Sequence, residues 1–473
     1  MESKILLKKK HGFIYSIFIL IVSQCIIKIT GLIYKLYLTN KSGFGDEGNA
    51  IYASAFQIYA ILLAITSIGV PNAISKLISS KVAKGDNKGA YRIFKIAFIL
   101  FGGLGFLGSC ILFFYAHIIS CNYLGIPEAE TSLIALSPSI FFVSIEAVLK
   151  GYFNGREKIS ITANSQSMEQ IFKTISTIIF VEIFSNISRK NTIIMVGVAS
   201  IATTLGTVFS CAYLYICYLK NKKQIWKEVL TSVEQKQERI KTVIKTIFWV
   251  TMPISISSLL GAMNKTIDAF TIVKNISEFV GLEQAKIQYG ILTGKIDTLI
   301  NLPFSFNMAF AITLIPAISA AVEKKDYKSA KKKIKFSLLA TLIIGSTCSL
   351  GLYIFADFIL KVLFPNASAG ANMLKLSSWS IIFVVLTQTI TGVIQGLGKF
   401  KIMIISLSIG CITKLILNTF LLKIETIGIY GAIISTLISH IIVCLINIIM
   451  LFRYMKTAFE IKKLKNKEFL LQK

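Results

Sequence analysis

Six lysines of this 473-residue chain lie inside long apolar stretches: Lys28, Lys35, Lys173, Lys265, Lys295 and Lys414. A lysine at the centre of a lipid bilayer costs about 2.5 to 3.5 kcal/mol, so most of these side chains must face a partner or a wet cavity. In apolar surroundings an ammonium group forms strong, charge-assisted hydrogen bonds with phosphate oxygens. Four of these lysines, Lys28, Lys35, Lys265 and Lys295, fall on predicted helices 1, 7 and 8 around one cleft, and they predict a site that binds an anion.

Helical spacing sorts these lysines. Lys28 and Lys35 are seven residues apart with Gly31 between them, so the three share one face of a helix. Lys265 and Asp268 are three residues apart and can face each other. The residues expected to bind substrate are Lys28, Gly31, Lys35, Asn264, Lys265, Asp268 and Lys295.

Other charged residues are predicted to form internal ion pairs or to couple transport to an ion. Glu169 and Lys173 are four residues apart, a spacing that favours a pair satisfied within one helix. Asp297 lies two residues from Lys295 and projects elsewhere on its helix. Lys414 has no acid near it in sequence, and we expect its amine to extend towards the membrane surface or to pair internally.

Two prolines occupy comparable places in the two halves of the chain. Pro71 and Pro316 lie near the end of the second helix of each half. A proline there ends a helix or provides a hinge, and both interpretations stay open.

The sequence contains no signature of a catalytic site. Its eight cysteines include no CxxC spacing, which argues against a zinc site or a disulfide framework. There is no phosphate-binding Walker loop, nucleophile elbow or zinc motif. We therefore expect no catalytic residue, metal or cofactor, and no enzymatic activity.

The elements that must position the lysines are membrane helices. Hydrophobic residues make up 54% of the chain and charged residues 16%, against about 25% charged in soluble domains. Stretches of about 20 mainly apolar residues predict all-α architecture with twelve transmembrane helices. They cover residues 12–38, 49–74, 91–117, 131–153, 160–184, 192–219, 246–272, 287–318, 334–360, 372–395, 402–422 and 428–452.

Basic residues alternate between the loops. With a cytoplasmic amino terminus, the cytoplasmic segments carry 37 Lys and Arg residues and the opposite loops carry 8. This asymmetry predicts a multi-pass protein of the cytoplasmic membrane with both termini in the cytoplasm. Because the net charge of +28 is spread over seven segments, it predicts contact with anionic lipid head groups and no binding of nucleic acid.

The two halves of the sequence resemble each other at an offset near 240. Residues 84–90 match 324–330, and residues 151–158 match 392–399; residues 31–35 match 261–265 at an offset of 230. Six helices per repeat give both halves the same orientation, with a pseudo-twofold axis along the membrane normal and a central cleft between two lobes. The expected parts are a first lobe, a cytoplasmic basic linker, a second lobe and a basic tail, at 1–220, 221–245, 246–452 and 453–473.

The chain resembles a known group over most of its length, most specifically in the first 80 residues. Residues 28–35 (KITGLIYK), 45–52, 57–59 and 69–77 are similar to the signature of the stage V sporulation protein B group. That group is similar to the MurJ-like lipid II flippases of the multidrug/oligosaccharidyl-lipid/polysaccharide exporter superfamily. The resemblance implies two six-helix lobes around a cationic cavity, with Lys28 and Lys35 at its basic positions. MurJ-like members usually have fourteen helices, whereas twelve are predicted here. The expected substrate is therefore the broader class of lipid-diphosphate-linked saccharides and not lipid II specifically.

Three hypotheses follow. The leading one is a flippase that moves a lipid-diphosphate-linked oligosaccharide, similar to lipid II, across the membrane by alternating access. The second is a multidrug or cation antiporter, for which Asp268 or Asp297 would supply the driving acid. The third is a scaffold that transports nothing and holds envelope-synthesis proteins together.

Overall fold

The computed structural model describes residues 22–65, 69–187, 189–232, 239–304, 307, 326–397 and 399–471, and every regular element in these ranges is helical. The chain forms two compact units, Met1–Val273 and Lys274–Lys473. The division falls inside a long helix, whereas the sequence placed the lobe boundary in the loop before that helix. The boundaries of the functional lobes stay a prediction.

The first unit contains eight helices and most of a ninth. They are α1 (22–40), α2 (Gly45–Leu63), α3 (Gly69–Ala83), α4 (Asn87–Phe114), α5 (Ala116–Ile118), α6 (Ala129–Gly155), α7 (Ile159–Ile187), α8 (Thr192–Leu230) and α9 (Ile240–Val280). Helix α6 packs against α2, α3, α4 and α8, which makes it the central helix of this unit.

The second unit begins within the last turns of α9. Its described helices are α10 (Leu282–Ile291), α11 (297–304), α12 (Tyr327–Ile354), α13 (Ala356–Leu363), α14 (Ala371–Ser378), α15 (Ser380–Gly396), α16 (Phe400–Leu421) and α17 (Tyr430–Leu471). A π-helical turn, Leu292–Ile296, joins α10 to α11, at the place where the sequence predicted an interrupted span.

Eight helices of the described ranges are long and apolar enough to cross a membrane, and the bent helix α9 would be a ninth. The other three predicted spans, 12–38, 49–74 and 287–318, are helical where the structure describes them, but each includes residues outside the described ranges. The predicted membrane character is therefore confirmed. The count of twelve stays a prediction.

Helix also fills much of the predicted linker. Helix α8 continues to Leu230 and α9 starts at Ile240, so at least 221–230 and 240–245 extend the neighbouring spans. Likewise α17 continues through most of the predicted tail.

Helices α4 and α12 show the internal repeat in their backbones. Both have 28 residues, and both start directly after an aspartate whose carboxylate accepts a hydrogen bond from a backbone N–H three residues on. These N-caps, Asp86 and Asp326, are 240 residues apart. An N-cap stabilises a helix by about 1 kcal/mol, so the short matching segments of sequence have a structural reason.

Two further features repeat. A Cβ atom on Gly105 would lie 2.5 Å from the Ser144 side chain, and one on Gly345 would lie 2.8 Å from Val385. In each unit the glycine thus brings the third span close to the fourth. The loop after the fourth span also repeats, because the backbone N–H groups of Lys158 and Lys399 donate to carbonyls five residues earlier.

Candidate functional site

Tyr52, on α2, lies at the centre of a polar and aromatic cluster in the first unit. Its hydroxyl accepts a hydrogen bond from Lys173 Nζ on α7 at 3.2 Å and lies 3.1 Å from Thr203 Oγ1 on α8. Lys35 Nζ, on α1, lies 5.7 Å from the Tyr52 ring centroid, and Lys173 Nζ lies 5.9 Å from it. Two cations therefore flank one ring. We call Tyr34, Lys35, Tyr52, Phe56 and Lys173 the Tyr52 cluster.

Aromatic rings enclose the Lys173 ammonium. It lies 4.9 Å from the Tyr34 ring centroid and 5.3 Å from that of Phe56. Such cation–π contacts contribute about 0.5 to 2 kcal/mol each, depending on solvation. In the described part of the chain Lys173 forms no ion pair with a carboxylate. Ring faces and one hydroxyl therefore hold this half-buried charge, and the Glu169 carboxylate acts on it from beyond ion-pair distance.

Lys35 is positioned by a buried asparagine. Its Nζ donates to Asn49 Oδ1 at 2.9 Å, and Asn49 Nδ2 donates to Thr39 Oγ1 at 2.9 Å. Asn49 and Thr39 are buried, and they belong to α2 and α1, respectively. The bonds fix the antiparallel packing of these helices and hold the Lys35 amine beside Tyr52.

A second charged group, which we call the Glu146 network, consists of Glu146, Lys150, Glu169 and Ser210. Lys150 Nζ lies 2.6 Å from Glu146 Oε1 and 4.0 Å from Glu169 Oε2. The Ser210 hydroxyl also donates to Glu146. Glu169 faces Lys150, and Lys173 on the same helix enters the Tyr52 cluster while its charge also acts on the Glu169 carboxylate. The predicted pairing of Glu169 with Lys173 stays a prediction. One lysine serves two carboxylates.

The remaining predicted site residues of the first unit make fewer defined contacts. Lys28 is exposed on α1 and bonds to none of the described residues, while Gly31 is half-buried. Asn264, Lys265 and Asp268 are half-buried on α9. The Asn264 side-chain oxygen is buried and accepts no hydrogen bond from the described residues.

In the second unit Lys295 is fully buried within the π-helical turn. Its Nζ donates to the carbonyl of Ala367, in the loop between α13 and α14, at 2.7 Å. Asp297 is half-buried at the start of α11, and Lys414 is buried on α16. In this conformation the Lys295 amine tethers a loop, a role that its position in the sequence did not indicate.

The predicted hinge at Pro71 lies in the first turn of a helix. Helix α2 ends at Leu63 and α3 begins at Gly69, so Pro71 falls in the first turn of α3, where proline is tolerated. A Cβ on Gly69 would lie 2.1 Å from Ser255 Oγ on α9. Pro316 lies outside the described residues. Motion at either proline stays a prediction.

Sequence reasoning missed the aromatic members of the Tyr52 cluster and the role of Lys150. Tyr52 and Phe56 are four residues apart and stack at 5.8 Å, a helical spacing that was a usable signal. Glu146 and Lys150 are also four apart, but Lys150 lies near the end of its span and was counted with the following loop. Contacts between α1, α2 and α7 could not be read from spacing within one helix.

Long apolar helices that enclose lysines and carboxylates define a multi-pass membrane protein of the transporter class. Residues 13–322, more than half of the chain, match the family described as "Polysaccharide biosynthesis protein", and the chain belongs to that family. Residues 295–420 also match the MatE family.

Curated relatives cover nearly the whole chain. "Stage V sporulation protein B" of Bacillus subtilis (strain 168) is 23% identical over 96% of this chain and 86% of its own length. "Lipid II flippase MurJ" of the same organism is 25% identical over 94% of this chain and 83% of its own length. The predicted family resemblance is confirmed. The second of these relatives is named as a flippase, which is a transport protein and not an enzyme.

Solved structures confirm the fold class of two helical lobes. An inward-facing multidrug resistance MATE family transporter of the MOP superfamily has a TM-score of 0.77, with 13% identity over 94% of this chain and 99% of that chain. A MOP superfamily transporter from Pyrococcus furiosus Vc1 (DSM3638) has a TM-score of 0.67, with 14% identity over 94% and 96%. Identities this low show a shared fold alone.

Proposed function

We propose that the protein moves a lipid-linked saccharide carrying a diphosphate across the cytoplasmic membrane, and that the Tyr52 cluster binds the phosphates. The observation that carries this proposal is the pair of lysines on one tyrosine, Lys35 and Lys173. The flippase relative named for lipid II supports the substrate class.

The chemistry of the Tyr52 cluster favours an anionic ligand. A ring face compensates an ammonium group only partly, whereas a phosphate oxygen forms a charge-assisted hydrogen bond with it. Lys173 has three N–H donors, and the Tyr52 hydroxyl accepts one of them. A phosphate beside the ring can therefore take a donor from each lysine. The exposed Lys28, on the same face of α1 as Lys35, would attract the approaching ligand.

We place both termini in the cytoplasm, because the sequence distributes 37 basic residues to one side and 8 to the other. Transport would proceed by alternating access of the two lobes, with the first turn of α3 at Pro71 as one hinge. The Glu146 network would couple this movement to a cation. Two carboxylates that share one lysine leave a negative charge that a proton or a monovalent cation can neutralise.

The test measures flipping of a fluorescent polyprenyl-diphosphate glycan by the full chain in proteoliposomes. We expect Lys35→Gln and Lys173→Gln to abolish most of the movement. Lys190→Gln is the matched control, because Lys190 has the same charge and its amine donates to Ser42 Oγ outside the cluster. Wild-type rates in both cluster variants, at equal expression, would contradict the proposal.

The Glu146 network supports a second candidate function, that of a cation antiporter. Its carboxylates could carry the exchanged proton, in place of the predicted Asp268 or Asp297. Exchange of organic cations for protons by wild-type protein that moves no glycan would favour this function. Retained cellular function without either transport would favour a scaffold.

A further inference from the structure

A row of aromatic side chains lies between the amino-terminal part of α4 and the carboxy-terminal part of α8. Tyr91 and Trp226 have ring centroids 5.8 Å apart, and the Tyr91 and Tyr218 hydroxyl oxygens are 3.3 Å apart. Trp226 remains 45% exposed. We call the surface formed by Tyr91, Tyr218 and Trp226 the Tyr91 groove. Its apolar part is the exposed Trp226 ring, and its polar part is the pair of tyrosine hydroxyl groups.

Three exposed lysines flank the Tyr91 groove. Lys88 and Lys95 lie three residues before and four residues after Tyr91 on α4. On α8, Lys222 lies between Tyr218 and Trp226, four residues from each. Residues three or four apart share a helix face, so all three ammonium groups project beside the rings.

No acid cancels these charges. Among the residues that the structure describes, the side chains of Lys88, Lys95 and Lys222 have no hydrogen-bond or ion-pair partner. Two described carboxylates nearby are engaged elsewhere: Asp86 caps α4 and lies 3.3 Å from Lys81 Nζ, and Glu228 pairs with Arg156. Within the described residues, the three ammonium groups are therefore available to an anion.

The groove is fixed in shape before a ligand arrives. The carboxy-terminal part of α8 is held in place by Lys158 Nζ, which donates to Asn221 Oδ1 at 2.7 Å. It is also attached by the Ser232 hydroxyl, which donates to the Gly85 carbonyl at 3.2 Å. Ile225 is buried in the core beneath the groove. A rigid site loses little conformational entropy on binding, which favours a stable complex.

We propose that the Tyr91 groove binds the head group of an anionic phospholipid, with its phosphate among Lys88, Lys95 and Lys222 and its glycerol region against Trp226. A lipid fits better than a soluble anion because the groove lies at the end of two membrane-length helices, where tryptophan marks the interface. Basic pockets between transmembrane helices are typical sites for such head groups. This site depends on the membrane location and is separate from the Tyr52 cluster.

Native mass spectrometry of the full chain tests the proposal, with phosphatidylglycerol and phosphatidylcholine added separately. Each basic side chain near an anionic surface strengthens binding about fivefold, so Lys88→Gln/Lys95→Gln/Lys222→Gln should weaken phosphatidylglycerol binding by roughly a hundredfold. Binding of phosphatidylcholine should be weak and should change little. Because the three lysines are exposed, we expect the variant to fold, and its melting temperature without added lipid checks this.

Two single variants serve as controls. Lys227→Gln removes the same charge from the face of α8 opposite Tyr218. Lys335→Gln removes it from the position on α12 that is equivalent to Lys95. The aromatic side chain is missing there, because Lys331 occupies the position equivalent to Tyr91. Both should bind phosphatidylglycerol about as tightly as wild type, because neither lysine lies at the groove and the contribution of a basic side chain falls off with distance from the head group. Equal loss in the controls, unchanged binding in the triple variant, or equally tight binding of glycerol phosphate would overturn the proposal.

Discussion

Replacing Lys150 by methionine tests how charge holds the core of the first unit. The change removes the ammonium group that Glu146 and Glu169 share, while retaining most of the apolar volume. Removing one partner of a buried ion pair costs about 3 to 5 kcal/mol, because the remaining charge is left uncompensated. Glu146 keeps its hydrogen bond from Ser210, and the Glu169 side chain is 30% exposed. We therefore expect a loss near the lower limit, about 3 kcal/mol of the free energy of unfolding.

The assay is denaturant unfolding in a mild detergent, with Glu146→Gln and the double variant completing a mutant cycle. Because Glu146→Gln removes the stranded charge, the double variant should regain at least about 1 kcal/mol relative to Lys150→Met. Lys190→Met controls for loss of a lysine at the surface. A loss below about 1 kcal/mol in Lys150→Met, or strictly additive effects in the cycle, would refute the argument that these charges stabilise one another.

Three further predictions concern the repeat and the Tyr52 cluster. Gly105→Ala and Gly345→Ala should each destabilise the protein by about 1 to 3 kcal/mol, because the added methyl group overlaps the facing helix. The same unfolding assay measures this loss. An increase in the stability of either variant would contradict the close approach of the two helices. Asp86→Ala and Asp326→Ala should each cost about 1 kcal/mol, and Asn at either position should restore most of it. Tyr52→Phe keeps the ring between the two lysines but removes the hydroxyl, so glycan flipping should slow about fivefold, the equivalent of about 1 kcal/mol; complete loss of transport would mean that the hydroxyl has a larger role.

The membrane helices could be predicted from sequence because the bilayer fixes both their length and their composition. Helix α4, for example, has a capped and basic amino-terminal part that is followed by an almost wholly apolar stretch from Ile96 to Phe114. The repeat was detectable at Asp86 and Asp326 because an N-cap tolerates few residue types, whereas lipid-facing positions accept almost any apolar side chain.

The contacts between helices could not be predicted in the same way. Spacing within α7 put Glu169 beside Lys173, but the geometry is decided by α6, which brings Lys150 to Glu169, and by α2, which brings Tyr52 to Lys173. Spacing within one helix reports which residues share a face. It does not report which neighbouring helix that face meets.

Lys173 and Lys414 occupy equivalent positions in the internal repeat. The equivalent loops at Lys158 and Lys399 start α7 and α16, and fifteen residues later each helix carries a lysine, Lys173 and Lys414. A lysine deep in a span is costly, so its occurrence at the same position in both units indicates a feature of the architecture and not an isolated accident. The two units accommodate the charge differently. Lys173 is half-buried against aromatic rings, while Lys414 is 1% exposed, so in this conformation the first unit presents the more accessible cation.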